Sequence, residues 1–375
     1  MAALSNSIVH LTMRFQDTVL SIGTGFIYKY GEQYFIVTAW HNVTGRHSET
    51  LETLSSNGGV PDNVVVTLSV IYPEHGAIKT SITLPLYDDK RALFYIHPIN
   101  WPRIDVVAIP FDPNAEHIME SYLSSGRHLK QQRPLLTPLH IGPDKFIQAE
   151  IHSVQEYFVP DQSVITQWLN SVDVTEELFI PGYPKNVQDY YAQPVWKRAT
   201  IASSVQSGWN REPKFLVDSA SKSGMSGAPV FYYNASGIVK IQGHTRSFNQ
   251  EVAILAGVYV GRLGVDKDED PQIGTVWNQS VIDEIIKGQS FERLSFEIEV
   301  SNQELEDNAN KVLGSCSRAG LENVKNPDLR SRFYVRQRLL ERIGGRASPD
   351  RALKALLDAA ETYQGPFVSD DDELK

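Results

Sequence analysis

Three polar residues stand where their chemistry could combine. His41 closes the string Thr38-Ala39-Trp40-His41, which follows a run rich in Tyr, Phe, Ile and Val. Asp105 opens the apolar run Asp105-Val106-Val107-Ala108-Ile109. Ser226 sits in Gly224-Met225-Ser226-Gly227-Ala228-Pro229, ahead of another apolar run. A serine hydroxyl is a weak nucleophile at neutral pH and needs a base. An imidazole titrating near about 6.5 suits that task. The imidazole in turn needs an acceptor that fixes its tautomer and stabilises its cation, and a carboxylate does both. A developing oxyanion needs donors, and glycine lets backbone N–H groups turn inward at low steric cost. Each residue alone reads as an ordinary polar group in a turn or at a strand end. Together they point to nucleophilic hydrolysis.

Other chemistries fit less well. The ten histidines are scattered, no H-E-x-x-H occurs and Cys316 is the one cysteine, so no metal site is expected. The same single cysteine excludes intrachain disulfides. The string GTGF at 23–26 lacks the helix and lysine of a phosphate loop, and no cofactor is expected. A formal net charge of −10 argues against nucleic acid or an anionic membrane as partner. No apolar run is long enough for a membrane span, and MAALSNSIVHLTMRFQ lacks the features of a secretion signal. The expected location is the cytoplasm.

The elements that must position these residues are mainly strands. Residues 23–39 carry two aromatic and β-branched runs joined at Gly31-Glu32, a hairpin signal. Further strands are expected at 64–72, 78–86, 104–111, 146–151, 178–180, 195–202, 215–217, 229–233, 238–242, 254–260 and 275–277. Many short strands separated by turns imply barrels or a sandwich. A polar stretch at about 112–140 reads as a connector. No amphipathic helix is expected before SVIDEIIKG at 280–288. One more strand is expected at 295–301. Ser301-Asn-Gln-Glu304 then looks like a capping box, with further helices at 328–343 and from 348 to about 363. VSDDDELK reads as a disordered acidic tail. The expected division is residues 1–112, a connector 113–140, residues 141–288 and a helical extension 289–375.

The motifs resemble those of chymotrypsin-like serine proteases, of the bacterial type without disulfides. TAWH resembles the family's histidine motif, DVVAI its aspartate strand and GMSGAP its serine motif, in the family's order. GTGF, FIPGYP at 179–184, WKRATIAS at 196–203 and Asp218 resemble further segments of bacterial members. The resemblance covers about residues 8–288. It implies an all-β fold of two six-stranded barrels, here followed by a mainly helical C-terminal extension that matches nothing familiar. It implies a serine endopeptidase in which Ser226 attacks, His41 moves the proton and Asp105 orients His41. The oxyanion hole would use backbone N–H groups of Gly224 and Ser226, with Met225 beside them.

Two departures matter. Met225 replaces the aspartate that in digestive proteases pairs with a new N-terminus after cleavage. Activation by that route is therefore not expected. Ala228 replaces a glycine, and long insertions such as 45–63 separate the motifs. The resemblance places the substrate pocket between Ser219, Ala220 and Ser221 at its base and Tyr259, Val260 and Gly261 along its wall, with 274–276 behind. Ala220 at the base implies a small to medium, uncharged residue before the cleaved bond. The partners expected are a protein or peptide substrate and, through 289–375, a regulatory protein. The Arg-rich run 330–346 reads as a solvated amphipathic helix packing on the barrels rather than a partner or nucleic-acid site. The alternative is a dormant or partner-activated binding module on the same fold.

Overall fold

The computed structural model describes residues 3–49, 53–54, 59–88, 91–122, 128–189, 193–263, 272–292, 300–326, 331–343, 347 and 349–369. The expected strand at 295–301 and the acidic end of the tail fall largely outside them.

The chain begins with β1 (Ile8–Phe15), β2 (Thr18–Tyr30) and β3 (Gln33–Thr38), and then the short helix α1 (Trp40–Thr44). β4 (Asn63–Tyr72), β5 (Gly76–Pro85), β6 (Tyr95–Ile96) and β7 (Val107–Phe111) follow. β2 and β3 form the expected hairpin, pairing Tyr30 with Gln33 around Gly31, whose φ of 59° a side chain would resist. The stretch expected to be an irregular connector instead holds β8 (Glu116–Tyr122) and β9 (His128–Pro134). β8 pairs with β5 and carries β9 along its other edge. Their polar sequence hid them: β9 is the edge strand, and β8 buries Met119 beside a charged residue, Glu120, that is buried as well. A small ribbon, β10 (Leu139–Gly142) with β11 (Lys145–Ile147), comes next.

The helix α2 (Gln162–Leu169) was not expected. It is short and holds β-branched residues, yet Asp161 caps it and Val164, Ile165 and Trp168 are buried. Then come β12 (Glu177–Gly182), β13 (Val195–Ile201), β14 (Lys214–Asp218) and β15 (Ala228–Asn234). β16 (Ile238–Ile241) and β17 (His244–Ser247) form a separate hairpin, before β18 (Val252–Arg262) and β19 (Ile273–Asn278). The expected helix is α3 (Ser280–Gly288), and β20 (Ser290–Phe291) runs back to pair with β6. The C-terminal region holds α4 (Asn302–Leu313), α5 (Arg318–Lys325), α6 (Ser331–Arg342) and α7 (Pro349–Thr362). Ser301 caps α4 by accepting from the Glu304 N–H at 3.1 Å. No helix among the described residues is long and apolar enough to cross a membrane.

The second β unit closes into a six-stranded barrel, β12-β13-β14-β19-β18-β15. The first is a ten-stranded sheet, β20-β6-β7-β3-β2-β1-β4-β5-β8-β9, coiled around one core that takes Leu11, Ile27, Ile36, Val66, Ile82 and Ile109. The same core takes Leu305, Leu313, Leu339 and Leu356 from the helices, so the C-terminal region packs on the first unit. A third cluster joins the two β units. Ile8, Phe26 and Val37 meet Phe231, Leu255 and Trp277, and α3 adds Val281, Ile282, Ile285 and Ile286. Each such buried side chain contributes roughly 1.5–3 kcal/mol. This cluster forms the seam between the two β units.

Candidate active site

β3 ends in Thr38, and the chain turns into α1, whose first turn presents His41. Asp105 lies in the loop entering β7 and is 6% exposed. It accepts twice from His41: the backbone N–H reaches Oδ1 at 2.9 Å and the ring Nδ1 lies 2.7 Å from Oδ2. The two contacts fix the ring and place its Nδ1 proton toward the carboxylate. Burial alone would lower the His41 pKa, but the Asp105 charge and hydrogen bond outweigh it and raise it above the ordinary value.

Ser226 is brought to His41 by the joint between the two β units. Its carbonyl accepts from the Thr24 N–H and from Asn42 Nδ2, both at 2.9 Å, and Asn42 is the next residue after His41. Thr38 Oγ1 donates to the Thr24 carbonyl at 2.8 Å and accepts from Asn42 Nδ2 at 2.9 Å. Gly227 must be glycine here. Its φ is 86°, and a Cβ would stand 2.2 Å from the Thr24 carbonyl oxygen. Thr24, Thr38 and Asn42 therefore seat the serine turn. Thr24 and Thr38 lie inside GTGF and TAWH, but nothing in the spacing of these strings marks them for this role.

The serine hydroxyl itself donates to the Val260 carbonyl at 3.2 Å, and no hydrogen bond joins it to His41 among the described residues. The N–H groups of Gly224 and Ser226 have no acceptor among the described residues, whereas the Met225 N–H donates to the Lys222 carbonyl at 3.2 Å. Met225 is thus corrected as an oxyanion donor, because its N–H closes the turn. Its side chain is fully buried in the core of the second barrel and anchors the turn from below.

The segment before the serine and the strand beside it are bridged rather than separated by an open pocket. Tyr259 is 1% exposed, its hydroxyl is hydrogen-bonded to Ser221 Oγ, and a Cβ on Gly274 would meet its ring at 2.4 Å. Arg262 donates to the Ser221 carbonyl and Lys197 to the Ala220 carbonyl. Ser219 and Ser221 are buried, while Val260 and Gly261 are partly exposed. A cleft of about 240 Å³ opens beside His41 and Asp105, walled by Val260, Gly261, Arg262 and Trp277. Lys214 enters it across the Trp277 ring, 4.9 Å from its centre, and is paired with Glu212 at 2.5 Å.

A closed six-stranded barrel stands beside a ten-stranded sheet, and His41, Asp105 and Ser226 lie where the two are joined. No family model matches the chain, and no curated protein does. Solved structures do. The Rv3671c protease of M. tuberculosis, in an inactive form, is similar over 77% of this chain and 91% of its own, at 15% identity and a TM-score of 0.33. The serine endoprotease of Yersinia pestis is similar over 76% of this chain and 63% of its own, at 10% identity and a TM-score of 0.36. The protease Anisep of Arthrobacter nicotinovorans is similar over 76% and 95%, at 10% identity and a TM-score of 0.36.

Proposed function

We propose that this chain is a serine endopeptidase working through Ser226, His41 and Asp105. The observation that carries the reading is the doubly hydrogen-bonded pair of His41 and Asp105 beside a serine turn that leaves two backbone N–H groups without acceptors. In the reaction the Ser226 hydroxyl turns from Val260 to His41, whose Nε2 takes the proton as Oγ attacks the scissile carbonyl. The oxyanion forms against the N–H groups of Gly224 and Ser226. His41 then gives its proton to the leaving amine, and water hydrolyses the acyl-enzyme by the same route. Asp105 stabilises the imidazolium.

Tyr259 fills the space between Ser221 and Gly274 where a side chain preceding the cleaved bond would go. A small, uncharged residue there fits what is left. The substrate is a protein or peptide, and the cytoplasm is the proposed setting. Turnover of such a peptide by Ser226→Ala should fall about 10⁴-fold or more. Unchanged turnover would end the assignment.

A second reading is favoured by one observation, the serine hydroxyl directed at the Val260 carbonyl instead of His41. On that reading the site rests in a dormant state and a partner bound through 289–375 aligns it. The added partner would then raise turnover without changing the residues on which it depends.

A further inference from the structure

Met225 leaves the serine turn without the ion pair that its sequence position could have supplied, so the oxyanion donors need another support. Three contacts around the peptide between Ser223 and Gly224 provide it. The Ser223 carbonyl accepts from the Lys185 N–H at 2.7 Å. This peptide is not among the cis bonds of the chain, so its C=O and N–H point in opposite directions. Holding the carbonyl on Lys185 therefore aims the Gly224 N–H away from Lys185. On the other side, the Gly224 carbonyl accepts from Thr24 Oγ1 at 2.7 Å. Gly224 has a φ of 94°, and a Cβ there would stand 2.4 Å from the Tyr183 carbonyl oxygen.

The turn that supplies Lys185 is itself in an unfavourable conformation. Lys185 and Asn186 have φ of 50° and 63°, a left-handed pair of non-glycine residues. Such a conformation persists where its surroundings enforce it. Within the turn the Asn186 N–H donates to the Tyr183 carbonyl at 3.1 Å. From outside, His10 on β1 grips it. His10 Nε2 lies 2.8 Å from Asn186 Oδ1, and the His10 ring stands edge-on to Tyr183 with centroids 5.0 Å apart. Tyr183 is fully buried and its hydroxyl donates to the Ile8 carbonyl at 3.4 Å. His10 is 7% exposed and lies far from the Ser226 hydroxyl in the chain of contacts, which runs through Asn186, Lys185 and Ser223.

We propose that His10 is a positioning residue of the oxyanion hole, acting through Asn186 and the Lys185 N–H on the peptide between Ser223 and Gly224. The inference rests on the protease reading for what the hole does, but the contacts it depends on can be tested without it. His10 touches neither substrate nor nucleophile. It ties the first sheet to the turn that orients a donor in the second barrel, so the hole keeps its shape only while the two units are joined.

The test is a crystal structure of the full chain carrying His10→Ala, and another carrying Asn186→Gly, which tolerates the positive φ and removes only the side chain. Turnover is measured on both and on His10→Gln, which retains a donor. The proposal expects the contact between Lys185 and Ser223 to be lost and the peptide to rotate. It expects kcat to fall about 10–100-fold with KM changed less than about threefold, since a misaimed donor is part of the effect of removing one. It also expects His10→Gln to recover most of the loss. A peptide that keeps its orientation in both variants overturns the proposal. A parent chain in which Ser226→Ala leaves turnover unchanged overturns the protease reading alone, and the peptide orientation still decides the clamp.

Discussion

The proposed catalysis rests on His41 being neutral when Ser226 attacks. Its pKa is raised because the Asp105 charge and hydrogen bond outweigh burial. A base with a raised pKa loses its proton only at higher pH, so the acidic limb of kcat/KM should have its midpoint above about 6.5. A pH–rate profile checks this, and a midpoint below that value contradicts it. The second residue-scale prediction concerns Tyr259. Replacing it with Ala opens the space between Ser221 and Gly274, so Tyr259→Ala should accept larger apolar residues before the cleaved bond, by a factor of about 10 or more. Profiling with a peptide library reads this out, and an unchanged profile counts against Tyr259 as the filler. Sequence order singled out His41, Asp105 and Ser226 as candidates because three polar types in three β contexts form a specific pattern. It did not find Tyr259 as a filler or His10 as a clamp. Their roles depend on side-chain direction across strands far apart in sequence, which spacing does not encode.

Elements carry a different set of consequences. β20 brings Glu292 under α1, where Trp40 Nε1 donates to its carboxylate at 3.1 Å, one residue before His41. Phe291 fixes β20 by packing on the Tyr95 ring at 4.8 Å and under the Arg91 guanidinium at 4.1 Å. Burial pushes the Glu292 carboxyl up to about 7, against the indole and Arg46, which lower it. The folded state therefore holds a proton that the unfolded chain releases near its ordinary value of 4.5. Its contribution is fully present below that value and is lost as pH rises through about 7. Glu292→Gln, which stays neutral, should match the parent near pH 4 and exceed it by roughly 1–3 kcal/mol above about pH 8. Urea unfolding at the two pH values measures the difference, and an equal gain at both would contradict the account. Most strands were legible from β-branched runs and their turns. β1 and β8 were not, because their polar and charged residues serve partners inside the fold. His10 on β1 contacts Asn186, and Arg14 on β1 pairs with Glu120 on β8 at 2.9 Å.

At the scale of the whole molecule, the joint between the two β units is where every part of the site meets. Thr24, Thr38 and Asn42 come from the first, and Ser226 and Gly227 from the second. The helical region shares the first unit's core, so damage there should reach the sheet. Leu313 is fully buried, and Leu313→Ala is expected to cost about 2–5 kcal/mol. The loss should appear as one shifted transition for helix and sheet together in circular dichroism. Separate transitions, with the sheet unaffected, would show that the two do not share a core. The sequence pattern announced the helices that open at Ser301, at 328–343 and at 348, since capping serines and apolar spacing are local signals, but not α5. The run at 330–346 reads as packing on the barrels, but which unit the helices pack on was not announced, because no local pattern names the partner of an apolar face. The central claim, that Ser226 is a nucleophile activated by His41, is met most directly by treating the full chain with a fluorophosphonate and locating the adduct by mass spectrometry. The account predicts one adduct, on Ser226, that disappears in His41→Ala. An adduct on another residue, or one on Ser226 that His41→Ala leaves undiminished, would contradict it.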